Sequence, residues 1–244
     1  MAKWDLFGRL WHINRDTAGI QGEWNIGHND GDKQHLAYLR SLGKQRQQAD
    51  SGADIPLDNL EVVVVDLETT GFYPDHGDAI ISIGAVAMKG DRLLLGDSFY
   101  TMVNPGRRIP PHVCSLTGIS DEMVEDAPDL LQAMSRFFQF VGDRPLVAHH
   151  SRHEREFFRA GLWKTSRRPL THRMLDTMLL IRLLSKPIGN GSLDALCAQH
   201  DIPISRRHHA YCDAVAAGTL WGKYLLKAQE AGYTNLRQVY EALR

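Results

Sequence analysis

The sequence predicts an α/β protein, a mixed sheet flanked by helices, behind an N-terminal helical extension. Three observations lead there. Val62–Val65 is a continuous β-branched run, the pattern of a strand buried on both faces. Two further apolar runs follow it, separated by the turn Lys89-Gly90-Asp91, and read as a meander. Helical and strand-like patterns then alternate to the end of the chain, which implies parallel pairing within the same sheet.

In chain order, residues 1–58 differ from the rest in being rich in Gly, Asp, Asn and Gln. Trp4, Phe7, Leu10 and Trp11 recur at helical spacing, as do Leu36, Leu39 and Leu42 within Lys33–Gln48. An apolar stripe of this kind either packs on the main domain or docks a partner. Asp50-Ser51-Gly52-Ala53-Asp54 reads as a linker. Strands are expected at Val62–Val65, Ala79–Met88, Leu93–Val103 and Pro145–Ala148. Helices are expected at Ala127–Val141, His153–Leu162, Met174–Leu184, Ser192–Gln199 and Ala210–Ala228. Small residues Ala214, Ala216, Ala217 and Gly218 suit the last of these to close packing. Tyr233-Thr234-Asn235 is placed to cap a final helix ending at Leu243. The division expected is an extension over 1–58 and one domain over 59–244.

Composition excludes several classes. The 244 residues carry 28 Lys plus Arg and 29 Asp plus Glu, a net charge of −1, with 43% hydrophobic residues. These are ordinary globular values, not those of a disordered or fibrous chain. Three cysteines without a CxxC pair give neither a disulfide framework nor a structural zinc site. With no secretory apolar core at Met1–Gly8 and no membrane-length apolar run, a cytoplasmic protein without a membrane partner is expected. Charge is uneven, however. Residues 144–173 hold eight Lys or Arg and two acids, 8 − 2 = +6, which suits a phosphate backbone or simply a solvated face.

Three stretches carry chemistry. Asp66-Leu67-Glu68-Thr69-Thr70-Gly71 follows the buried strand. Residues i and i+2 of a strand share a face, so Asp66 and Glu68 project together. Such a pair demands a counter-charge; no Lys or Arg is near in sequence, and hard oxygen ligands suit Mg²⁺ or Mn²⁺. Leu146-Val147-Ala148-His149-His150-Ser151-Arg152-His153-Glu154 leads from a strand end through a polar turn to a helix, with Glu154 the acid nearest the turn. His149 and His153 have the i, i+4 spacing of a transition-metal pair, although the zinc-protease glutamate pattern is missing. His208-His209-Ala210-Tyr211-Cys212-Asp213 opens the long helix and puts a proton acceptor five residues from an acid.

Together these motifs resemble the DEDDh 3′–5′ exonucleases, nearest the proofreading ε-subunit group of bacterial DNA polymerase III. Ile81–Val86, Leu116–Ser120 with Ala127-Pro128, Leu175–Thr177 and Ser192–Leu196 fit the same pattern, and the likeness covers about residues 60–228. It implies an RNase H-like fold, a mixed five-stranded sheet whose central strand carries Asp66 and Glu68. It implies two divalent ions, Mg²⁺ or Mn²⁺, held by Asp66, Glu68, Asp213 and Glu154, with His208 the general base. Thr69 and Thr70 would approach the terminal nucleotide, Leu116 and Thr117 would flank its base, and His149 would stand at the cleft. The implied partners are DNA 3′ ends, single-stranded or frayed, and a polymerase or other repair protein. RNA as substrate stays open. The family's middle acid is an aspartate where this chain has Glu154, and its turn asparagine is here His150. That substitution leaves a second reading open, a nuclease-like fold that binds nucleic acid without cutting.

Overall fold

The computed structural model describes residues 30–45, 50–185 and 191–244. The helix expected around Trp4, Phe7, Leu10 and Trp11 lies outside the described residues.

The sheet is built from β1 (Glu61–Thr69), β2 (Ile80–Lys89), β3 (Arg92–Met102), β4 (Leu146–Ala148) and β5 (Met174–Asp176). Its order is β3-β2-β1-β4-β5. The meander pairs antiparallel, and β1–β4 and β4–β5 pair parallel. The sheet is therefore mixed and five-stranded, with β1 central, the RNase H-like arrangement.

Alternation along β1 sorts the core into two layers. Val62 and Val64 face a cluster with Val86, Met88 and Trp221. Val63, Val65 and Leu67 face the other side, with Phe137, Phe138 and Phe158. The first layer is closed by α6 (Met178–Leu184), α7 (Leu193–Gln199), α8 (Ala210–Glu230) and α9 (Leu236–Ala242). The second is closed by α4 (Leu130–Val141) and α5 (Arg152–Ser166). Asp66 and Glu68 continue the Val62–Val64 parity, so the sheet aims them at the α8 side.

Helix α1 (Asp30–Gln45) lies on α4 and α5. Leu39 is fully buried there, and the Tyr38 hydroxyl donates to the Phe138 carbonyl at 2.8 Å. This stripe packs on the domain itself. The stretch expected as a linker, Asp50–Asp54, is a 3-10 turn in which Asp54 accepts two bonds from Arg237 at 2.5 and 2.6 Å. Leu57 already belongs to the core.

Four elements differ from the sequence expectation. Met174–Leu184 is not one helix: Met174–Asp176 pairs with β4, and the helix begins at Met178. The stretch is apolar nearly throughout, so its period does not separate helix from strand. Two short helices, α2 (Pro111–Thr117) and α3 (Asp121–Val124), were not anticipated. They are held by a small cluster of Ile81, Ile109, Val113, Ile119 and Val124. The α4 helix starts at Leu130 rather than Ala127 because the Asp129 carboxylate caps it, accepting from Gln132 N at 2.8 Å.

Candidate active site

Three elements bring the acids together. Strand β1 delivers Asp66 and Glu68 just before a register shift between Glu68 and Thr69 ends the pairing. The first turn of α5 delivers Glu154, and the first turn of α8 delivers Asp213. The α8 N-terminus can come this close because Gly84, the register partner of Asp66, has no side chain. A Cβ there would lie 2.1 Å from Tyr211 N.

Glu68, Glu154 and Asp213 are all buried. Among the described residues, Glu68, His208 and Asp213 offer ligand atoms that all lie within 4.8 Å of one another. Glu154 Oε2 and Asp213 Oδ1 are buried and find no hydrogen-bond partner among the described residues. Unpaired buried carboxylate oxygens are costly unless a cation meets them. The donor set, hard oxygens and one imidazole, therefore fits a divalent ion.

The electrostatics agree. Burial, then the nearby Glu154, Glu68 and Asp213, holds the Asp66 carboxyl well above the usual range. Burial with Asp213 pushes Glu68 up to about 7. Burial, with Asp176 and Glu68, pushes Glu154 up to about 8. Asp213 is raised by burial and pulled back by Arg207. The folded chain thus keeps protons that the unfolded chain has released. Stability from these acids is fully present below the ordinary carboxylate range and lost as pH rises through 7 to 8. His149, lowered to about 4 by burial, acts in the opposite sense but only below its ordinary value of 6.5. We therefore expect metal-free protein to lose about 2 kcal/mol between about pH 6.5 and 8.5. Urea melts in chelator at both pH values would show it, and a flat profile would count against the buried-acid assignment.

The two histidine motifs separate. His149 and His153 do not meet as a metal pair. His149 Nε2 donates to the Gly191 carbonyl at 2.9 Å, so its Nδ1 accepts from the Thr177 hydroxyl at 2.6 Å. Both nitrogens are committed, so His149 braces the end of β4 through Thr177 and Gly191. His153 packs edge-on to Phe72, with Nε2 3.4 Å from Thr69 Oγ1. His150 has φ +55°, the left-handed conformation that asparagine and histidine tolerate better than most residues.

Other expected contacts are modified by their hydrogen bonds. Thr70 is buried; its N–H donates to the Ala79 carbonyl and its hydroxyl to Asp78, while also accepting from Ala79 N. Thr70 latches the loop, and neither group is free for a nucleotide. The Thr117 hydroxyl donates to Val113 O and accepts from Ile119 N, so it too is spent internally. Leu116 is 53% exposed and Thr69 partly so. Asp176 joins β5 to the turn before α5, accepting from the backbone N–H groups of His150, Ser151 and Met178. The basic run over 144–173 is partly spent on pairs such as Arg144–Asp97 and Arg159–Asp75.

One residue of the site, read from the sequence only as a basic neighbour of His208 suited to a nucleic-acid backbone, has a role at the acids that was not expected. No Lys or Arg was expected to neutralise the acids, yet Arg207 Nη1 donates to Asp213 Oδ2, and its Nε donates to Asp194 at 2.7 Å. The available signal was its place immediately before His208.

A parallel-antiparallel sheet whose central strand ends in a buried acid cluster defines a nuclease class, and comparison with known proteins agrees. A family model described as an exonuclease matches residues 63–220, and the chain belongs to that exonuclease family. The DNA polymerase III PolC-type protein of Oceanobacillus iheyensis is 31% identical over 227 residues, 90% of this chain and 16% of its own length. A DNA polymerase III subunit epsilon-like protein of Rhodobacter capsulatus is 36% identical over 194 residues, 79% of this chain and 27% of that one. The chain thus spans less than a third of either relative. Among solved structures, the nuclease domain of 3'hExo, a DEDDh family member bound to rAMP, superposes with a TM-score of 0.60 at 18% identity. That match covers 75% of this chain and 96% of the other. Exonuclease X in complex with 5' overhanging duplex DNA gives 0.58 at 20% identity, covering 74% and 98%. Both likenesses speak to the fold. Among the described residues no helix is long and apolar enough to cross a membrane.

Proposed function

We propose that this chain is a metal-dependent 3′–5′ exonuclease of the DEDDh type that removes nucleoside monophosphates from single-stranded or frayed DNA ends. The observation that carries the reading is the acid cluster itself. The four carboxyls lie close enough at one strand end for Asp66 to feel the other three, and Glu154 and Asp213 each keep a buried oxygen without a hydrogen-bond partner among the described residues. Asp66, Glu68, Glu154 and Asp213 would hold two divalent ions, Mg²⁺ or Mn²⁺, which when bound supply Lewis-acid activation of water and charge for the departing 3′ oxygen. His208 accepts the proton of the attacking water. It sits partly exposed at φ +57°, its backbone N–H donates to Asp213 Oδ2 at 3.0 Å, and its imidazole offers a nitrogen within 4.8 Å of ligand atoms on Glu68 and Asp213. Leu116 is exposed and would flank a terminal base, and Thr69, at the end of β1 directly after Glu68, would approach the terminal nucleotide. The burial of Glu154 supports the active reading over the inert one, because its longer side chain still turns into the cluster.

We also read residues 59–244 as the exonuclease domain of a cytoplasmic protein; the relatives' names support a place beside a DNA polymerase. The test is hydrolysis of 3′- and 5′-labelled single-stranded DNA in Mg²⁺, Mn²⁺ or chelator. Mononucleotide release from the 3′ end is expected, lost in chelator and reduced by about 10²–10⁴-fold in His208→Ala. Intact DNA in both metals, with binding retained, would leave the binding-only reading standing. An RNA oligonucleotide in parallel settles the sugar preference.

A further inference from the structure

The guanidinium of Arg207 spans two acids of very different exposure. Asp194, on the first turn of α7, has a side chain 58% exposed; the Asp213 side chain is 2% exposed. Arg207 Nε bonds the first and Nη1 bonds Oδ2 of the second. The charge reaches past Asp213, since it also lowers the pKa of Asp66 and Glu68. The same Asp213 carboxylate, with Glu68 and His208, makes the group whose ligand atoms lie within 4.8 Å. A divalent ion at that group would need the Asp213 carboxylate and would repel a guanidinium seated on it. Arg207 holds Oδ2 and leaves Oδ1 unpartnered among the described residues, so an ion on Oδ1 would share the carboxylate with a like charge. Asp194 gives Arg207 a second seat on the solvent side, already occupied by its Nε.

We propose that Arg207 is a built-in competitor for the metal at Asp213: it retires to Asp194 when the metal binds and thereby sets the metal concentration at which the site fills. The inference rests on the metal-dependent reading above. It makes Arg207 a positioning residue acting through Asp213, and it gives Asp194 a function although it lies outside the acid cluster.

The test is calorimetric titration of the chain with Mn²⁺ at one fixed pH, without nucleic acid. Arg207→Gln should tighten Mn²⁺ binding by about tenfold, the scale of one charge-assisted hydrogen bond. Arg206→Gln removes the same charge one residue away, where the side chain reaches the Thr117 carbonyl and not Asp213. It should leave the constant within about twofold. Asp194→Asn should weaken Mn²⁺ binding several-fold, because Arg207 then has nowhere to retire. In the Arg207→Gln background the same change should do much less, which separates a route through Arg207 from plain loss of negative charge. Thermal melts give an independent readout: Arg207→Gln should melt lower in chelator and gain more from Mn²⁺ than the parent.

An unchanged or weaker constant in Arg207→Gln overturns the inference, as does an equal tightening in Arg206→Gln. If Arg207→Gln does not fold in chelator, Asp194→Asn in the parent decides when set beside Asp201→Asn, which removes the same charge from an exposed site just past α7: several-fold weakening in the first alone supports the inference, and no weakening in the first or equal weakening in both overturns it. If neither the parent nor any variant binds Mn²⁺, the metal-dependent reading has failed and the inference goes with it. That outcome is distinct from a parent that binds and a variant that does not differ.

Discussion

Asp66→Asn should reduce hydrolysis by on the order of 10³-fold and, at the same time, make the metal-free protein more stable. The two effects have one cause. Asp66 sits between Glu154, Glu68 and Asp213, and burial plus their repulsion raises its carboxyl well above the usual range. An amide has nearly the same shape and no charge. It relieves the repulsion, worth about 1–2 kcal/mol near pH 8, while removing a carboxylate that the proposed chemistry needs. Comparing chelated melts at pH 8 with hydrolysis rates in Mg²⁺ checks both halves. A variant that keeps a tenth or more of the parent rate would show that Asp66 is not in the metal-holding set. A lower melting temperature would show that the acids are not in conflict.

Gly84→Ala should cost about 3 kcal/mol or more and take the activity with it. The added Cβ would meet Tyr211 N at 2.1 Å and Ala210 C at 2.2 Å, and both are backbone atoms that no rotamer change can move. Relief requires the first turn of α8 to lift off β2. Gly84 is the register partner of Asp66, so that lift separates Asp213 from the β1 acids. Gly96→Ala on β3 is the matched control: nothing lies within 4 Å of its Cβ, and it should stay within about 0.5 kcal/mol of the parent. Urea denaturation of both variants decides. A Gly84 variant as stable as the Gly96 one would mean that α8 does not need this approach to seat.

The family assignment strengthens what the motifs imply about class, but it does not reach residue roles. Matches covering a fraction of long polymerases establish that this fold and this exonuclease family are present.

Much of this was legible without coordinates. The β-branched run Val62–Val65 defines a strand buried on both faces, and the two-residue period then forces Asp66 and Glu68 to one side of it. The Asn235 cap and the small-residue helix carrying Asp213 were legible for the same reason: each is a local rule, satisfied within a few residues. The elements that were misread obey no local rule. Met174–Asp176 is a strand only because β4 pairs with it, and an apolar run of that length fits either structure. Thr70, Thr117 and His149 carry polar groups that any sequence reading would offer to a substrate. Each group is instead committed to a partner in the fold, in the case of His149 to groups 28 and 42 residues away. Arg207 is the sharpest instance. Its neighbour His208 announces the motif, but the bond to Asp213 and the second seat on Asp194 exist only because α7 and α8 pack together on the Val62–Val64 face. The sequence by itself determined the first four strands, the acids and the class of chemistry, because backbone periodicity and residue type are local. Tertiary structure alone decided which polar atoms remain free to act, because hydrogen bonds and charges are spent according to distance in space, which chain order does not encode.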